Sequence, residues 1–268
     1  MGNNLLFQDS DFVSRRSDLP IVQNVSDILP STNYESDAYG HWALYKGSED
    51  AFIDQVNNRA LNLQMNAAIA PVFSSEGVTL TNAKGSALIS DLVDKATTSI
   101  TAVYVAKTST VGLYLLGMTL PNSNSTTENG FGAYAGVDNA DQKPKVFFNL
   151  KPVIANQTGG LSNLSTKQII NPLEPFLVAI SVDKAKKTAL LYVMQGETES
   201  FISATYTGNY EDSTKPMAVG NAYYNAAESG TRTTFAEAIL YNKAKTLNQI
   251  KAIAYRCKSR LKRQNITL

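Results

Sequence analysis

"TFAEAILYNKAKTLNQIKAIAYRCKSRLK", Thr234 to Lys262, changes period halfway along. Phe235 to Tyr241 alternates as a strand does, whereas Leu247, Ile250, Ile253, Ala254, Cys257 and Leu261 recur at steps of three and four. Those six positions form one stripe on a helix. Thr246 is placed to cap it, because its hydroxyl can accept a backbone N–H of the first turn. Lys258, Arg260, Lys262 and Arg263 gather at the far end, where the helix dipole is negative, and read as dipole compensation and a solvated face. Glu237 has no acidic partner at i±2 and reads as a rim or outward residue.

Working outward from this ending, the rest of the chain is β-like. Short runs rich in β-branched and aromatic residues span 71–81, 86–92, 99–108, 112–120, 130–137, 145–150, 176–183, 188–196, 200–208, 216–224 and 233–241, with Gly, Asn, Asp and Pro between them. In 99–108, Ile100, Ala102, Tyr104 and Ala106 share a face opposite Val103 and Val105, which fits a strand covered on both sides. Phe201, Ser203 and Thr205 likewise oppose Ile202, Ala204 and Tyr206. Asp183 to Thr188 reads as a charged hairpin connection. Neither a βαβ alternation nor a fixed-period repeat appears, which argues against a nucleotide-binding parallel sheet and a solenoid.

Composition narrows the function. The 268 residues carry 24 Lys and Arg against 23 Asp and Glu, so no global field recruits nucleic acid or an anionic membrane. No run approaches the ~18 apolar residues of a membrane span, and the opening residues lack the apolar core of a signal peptide. The expectation is therefore a chain made and folded in a cytoplasm, in which sequons such as the one at Asn24 carry little meaning. Cys257 has no second Cys with which to pair and reads as a buried helix position. From Met1 to about Gly40 the chain is polar and irregular, with too little apolar surface for its own core. It reads as an arm that is either mobile or docked on the body or on a neighbouring chain. The body then runs over 41–268, with the helix at 246–263.

The strand-to-helix ending, with Tyr241-Asn242 followed by Leu247, resembles the last strand and terminal helix of concanavalin A-like lectin/glucanase domains of the laminin-G-like type. His41 to Gln64, with Trp42, Asp54 and Asn57-Asn58, resembles the front of such domains, and Gly220-Asn221 fits before the last strand. The likeness covers roughly 41–261. It implies an all-β jelly-roll sandwich of two antiparallel sheets, with the helix closing one end.

Glucanases of that superfamily place paired carboxylates on one strand face, about 5 Å apart. Here the nearest run is Glu197-Thr198-Glu199, which reads as a solvated turn. His41 has no nucleophile in a recognisable elbow and reads as a structural residue at the arm–body junction. No catalytic residue is therefore assigned. Laminin-G-like domains often hold calcium, which makes Asp138, Asn139 and Asp141 candidate ligands and calcium the one candidate cofactor. Glycan binding needs aromatic platforms beside amides; Asn221, Tyr223, Tyr224 and Asn225 supply these in one loop, and Phe131 and Tyr134 in a second.

Three classes follow. The leading expectation, by resemblance to bacteriophage tail and tail-fibre proteins, is a non-enzymatic virion component with other virion proteins, its own copies (a trimer by analogy) and host-surface glycans as partners. The alternatives are a free-standing lectin and a glycosidase.

Overall fold

The computed structural model describes residues 34–64, 69–109, 114–119, 128–153 and 159–268, all within one unit, Ser31–Leu268. Most of the expected arm, 1–33, lies outside the described residues. The strands are β1 (Gly40–Trp42), β2 (Asn62–Gln64), β3 (Val72–Ser74), β4 (Gly77–Thr81) and β5 (Ser86–Val93). They continue with β6 (Ile100–Thr108), β7 (Tyr114–Met118), β8 (Gly130–Val137), β9 (Pro144–Lys151) and β10 (Leu161–Leu164). The last are β11 (Phe176–Asp183), β12 (Thr188–Gln195), β13 (Thr198–Thr205), β14 (Pro216–Asn221) and β15 (Arg232–Tyr241), before helix α1 (Leu247–Lys262).

All the pairings are antiparallel. One layer is the sheet β13-β12-β11-β6-β15-β4-β3, with β1 added to β15. The other joins β10-β9-β8-β7 to β14-β5-β2, with β7 running beside β14. Between the layers lies the main core, which takes Ile100, Ala102, Tyr104 and Ala106 from β6 with Trp42, Phe131, Phe148, Phe176 and Phe235. The chain is thus an antiparallel β-sandwich with a C-terminal helix.

The helix does not close one end of this sandwich. It lies across the outer face of the larger sheet and makes a third layer. Val103, Val105, Leu177, Ala179, Tyr192, Ile239 and Tyr241 form a second apolar cluster with Ile250, Ile253, Ala254, Cys257 and Leu261. This explains why β6 is apolar on both faces: each face has its own core. Strand β13, at the edge, is covered on one side only, so Phe201 is 51% exposed while Ile202 packs inward.

The expected cap is a full capping box. Thr246 Oγ1 accepts from Gln249 N, and Gln249 Oε1 accepts from Thr246 N at 2.9 Å. Thr246→Ala is expected to cost about 1 kcal/mol, read as a lower midpoint in thermal unfolding followed by circular dichroism; an unchanged midpoint would show that sheet packing alone holds the helix.

A β-bulge between Phe235 and Glu237 breaks the strict alternation of β15. Phe235 therefore faces the main core, whereas Ile239 and Tyr241 face the helix. The extra residue turns Glu237 toward the helix as well, which corrects the reading of Glu237 as a rim residue: it is 1% exposed. Gly77 makes room for the bulge. It has φ of 144°, and a Cβ there would stand 2.1 Å from the Phe235 carbonyl oxygen.

Beside that apolar cluster, a buried charged network also lies under the helix. His41 Nε2 lies 2.6 Å from Glu237 Oε1, and its Nδ1 accepts from Glu35 N at 3.0 Å, so Nε2 carries the proton and donates to the carboxylate. Arg260 Nε donates to the same Glu237 oxygen at 2.9 Å and Nη1 to Glu35 Oε1 at 3.2 Å. Arg256 grips Glu35 through two bonds, of 2.9 and 2.6 Å. Burial pushes the Glu237 carboxyl up, but Arg260 and His41 outweigh it and hold the group well below its ordinary range. Glu35 is lowered in the same way, with Arg256 and Arg260 outweighing burial. Arg260, expected on a solvated face, is 2% exposed. Tyr34 to Gly40, expected with the arm, thus lie against the body through Glu35 and through Tyr39 N, which donates to Leu240 O. Cys257 is buried as expected, and burial pushes its thiol up.

Candidate functional site

Among the described residues, no helix lies across the outer face of the second layer. On β8, Phe131, Ala133 and Ala135 turn into the core, which leaves Tyr134 on the opposite, outward face. On β9, Val146, Phe148 and Leu150 do the same, so Phe147 shares the face of Tyr134, where it is 9% exposed. Their rings stack, with centroids 5.1 Å apart and planes at 21°. The Tyr134 hydroxyl donates to Asn163 Oδ1 at 2.8 Å, and Asn163 N donates to Asn149 Oδ1 at 2.6 Å. Burial, then Tyr224 and Asp138, push the Tyr134 phenol up.

The loop sorts into framework and face. Asn221 is 1% exposed: its amide nitrogen donates to Asn82 O and Tyr224 O, and its oxygen accepts from Tyr224 N. That is a turn-forming asparagine, not a ligand contact. Tyr223 folds back, packs beside Ala87, Ala218 and Ala222, and donates to Pro216 O at 2.7 Å. Tyr224 and Asn225 remain toward solvent. Phe131 is corrected outright, since it is fully buried with its ring 6.2 Å from Phe148. Of the six residues expected to contact a glycan, Tyr134, Tyr224 and Asn225 keep accessible surface suited to it.

Beside the loop, the buried Asn82 Oδ1 has no hydrogen-bond partner among the described residues. Sequence reading passed over Asn82, Phe147 and Asn163. A signal for Phe147 was present, because adjacent aromatics in "KVFFNL" must face opposite sides of a strand. The surface offers the Tyr134 ring, backed by Phe147, a second phenol and neutral amides. It suits a neutral polyol, which gives C–H groups to rings and hydroxyls to amides.

The expected calcium loop has a different occupant. Lys145 Nζ sits 2.8 Å from Asp138 Oδ2 and 2.6 Å from Asp141 Oδ2, and it holds both carboxyls below their usual range. Asn139 uses its main-chain oxygen to accept from Gln142 Nε2. The ammonium supplies the positive charge that a cation would bring. No group of three or more metal-ligating side chains occurs among the described residues.

The acidic turn is also spoken for. Glu197 pairs with Lys258 at 2.7 Å, as an exposed turn residue can. Glu199, expected in solvent, accepts from the Tyr192 hydroxyl at 2.6 Å and pairs with Lys251 of the helix. Both carboxylates therefore bind the helix to the β12–β13 hairpin.

This fold defines a class, the antiparallel β-sandwich. No protein-family model and no curated sequence matches the chain. Solved structures do: the binding domain of Paraclostridial Mosquitocidal Protein 1 superposes with a TM-score of 0.56 at 11% identity, over 82% of this chain and 52% of that one. The botulinum neurotoxin serotype G binding domain gives 0.53 at 11%, over 83% and 51%. Domain 4 of AbnA, a GH43 extracellular arabinanase from Geobacillus stearothermophilus solved with arabinotriose, gives 0.53 at 14%, over 82% of this chain and 100% of that domain. The chain thus spans about half of each toxin binding domain and the whole of the arabinanase domain. The two toxin domains are binding domains by their descriptions. Among the described residues, no helix is long and apolar enough to cross a membrane.

Proposed function

We propose that the chain is a non-catalytic carbohydrate-binding module, and that the ledge of Tyr134 and Phe147 with Tyr224 and Asn225 receives a neutral oligosaccharide. The observation that carries this reading is the correspondence of 82% of the chain with the whole of a sandwich domain solved with arabinotriose. The chemistry of the ledge supports it, because rings and amides suit sugar hydroxyls and no carboxylate pair stands among those residues. Nothing in the fold or the comparisons supports a virion location, so the lectin-like alternative replaces it here.

A glycan array probed with the full chain tests the reading, followed by calorimetric titration of the best binder. Tyr224→Ala and Tyr134→Ala are each expected to weaken binding about tenfold, the equivalent of about 1.4 kcal/mol. An array without a binder, or variants that bind as the parent does, would reject it. Incubation with the bound polysaccharide is expected to release no reducing sugar.

A further inference from the structure

A second buried cluster lies far in sequence from the network under the helix, where the two layers meet. Asp94 directly follows β5 of the smaller layer, and Lys184 directly follows β11 of the larger one. Asp94 is fully buried, and the Lys184 side chain is 2% exposed. Lys184 Nζ donates to Asp94 Oδ1 and to Lys95 O, and it lies 4.1 Å from the centroid of the Tyr210 ring. The other carboxyl oxygen, Oδ2, accepts from the Tyr210 hydroxyl and from Thr119 Oγ1 at 3.1 Å.

Both main chains are pinned. Asp94 N donates to Lys215 O and Asp94 O accepts from Ser213 N, while Lys184 N donates to Ser99 Oγ. The Tyr206 hydroxyl, on a residue 3% exposed, has no hydrogen-bond partner among the described residues and lies within the field of Asp94.

We propose that Lys184 and Asp94 join as an intramolecular isopeptide bond between Nζ and Cγ, formed within the folded chain with release of one water. The amine lone pair attacks Cγ, and Oδ2 takes the developing negative charge between the Tyr210 and Thr119 hydroxyls, which already point at it. Collapse then breaks the Cγ–Oδ1 bond. Counted from the ionised pair, the ammonium passes two of its three protons to Oδ1, which departs as water and leaves an amide N–H. No oxidant, reductant or activating group enters the balance.

Fixing amine and carboxyl side by side supplies the effective concentration that a bimolecular reaction lacks. Burial also pushes the Asp94 carboxyl up and the Lys184 amine down, which favours the neutral acid and neutral amine that must react. The product staples one sheet of the sandwich to the other through a bond that unfolding cannot break.

Intact mass spectrometry of the full chain is the test. The mass is expected below the sequence mass by one water, with a tryptic peptide in which the segment holding Asp94 is joined to that holding Lys184. Lys184→Arg is expected to restore the sequence mass. Asp94→Asn, which presents an amide in place of the acid, is expected to lose one ammonia instead. The full sequence mass in the folded parent chain would overturn the proposal, and so would loss of water without the branched peptide, since a cyclic imide at an aspartate also loses one water.

Discussion

Arg260→Ala is expected to lower stability by about 3–5 kcal/mol, because it strands Glu237 and Glu35 in a site closed to water. Glu237 would keep its bond to His41, and Glu35 would keep the half-exposed Arg256 and the Tyr241 hydroxyl. Denaturant unfolding measures the loss as a lower midpoint with an unchanged slope. Arg256→Ala is expected to cost less, since its side chain is 39% exposed and Glu35 retains Arg260. Equal effects of the two variants would mean that the network is spread evenly and that Arg260 has no central place in it.

The same network fixes a pH dependence. Glu237 and Glu35 titrate below the ordinary glutamate value of 4.5 when folded. Such groups contribute stability that is fully present above the unfolded value and is lost as pH falls toward the folded one. The unfolding midpoint should therefore be insensitive to these two groups at neutral pH and decline once pH drops below about 4.5. In Glu237→Gln that acid decline is expected to be shallower; a parallel decline would show that other carboxylates drive acid unfolding.

Gly77→Ala is expected to cost about 3 kcal/mol or more, from a Cβ driven into a backbone carbonyl at a φ that L residues avoid. The carbonyl belongs to Phe235, and the strand around it is held by β6 on its other side, so neither can retreat. Gly196→Ala provides the contrast. It also has a positive φ, 62°, but a Cβ there meets nothing within 4 Å, and its cost should stay near 1 kcal/mol. Thermal unfolding of the two variants side by side separates steric collision from backbone strain, and similar losses would mean that the bulge can shift away from residue 77.

Much of the sandwich was legible because burial imprints itself locally. The helix stripe, its Thr246 cap, the two-faced pattern of β6 and the turn after Asp183 all follow from neighbours within a few residues. Strands β1, β2 and β10 have three or four residues each, too few for a period to show. Glu237 was misplaced because a single extra residue inverts the face of everything before it. The network was invisible for another reason: His41 and Glu237 are 196 positions apart, and no local pattern encodes such a meeting. The candidate site was legible as composition and not as geometry. Tyr134 and Tyr224 keep their surface, while Phe131 and Asn221, drawn from similar loops, serve the core and a turn.

Strand β15 lies between β6 and β4 and also carries β1, although it is the last strand in the chain. A ribosome must therefore deliver the middle of this sheet after its flanks. Until residues beyond 232 emerge, β3 and β4 have no link to β6, and β1 has no neighbour to join. Early strands must wait with bare edges through most of synthesis, which exposes them to mispairing at that stage. An interruption of translation before β15 would leave β1, β3 and β4 unjoined to β6, β11, β12 and β13, which pair with one another without it.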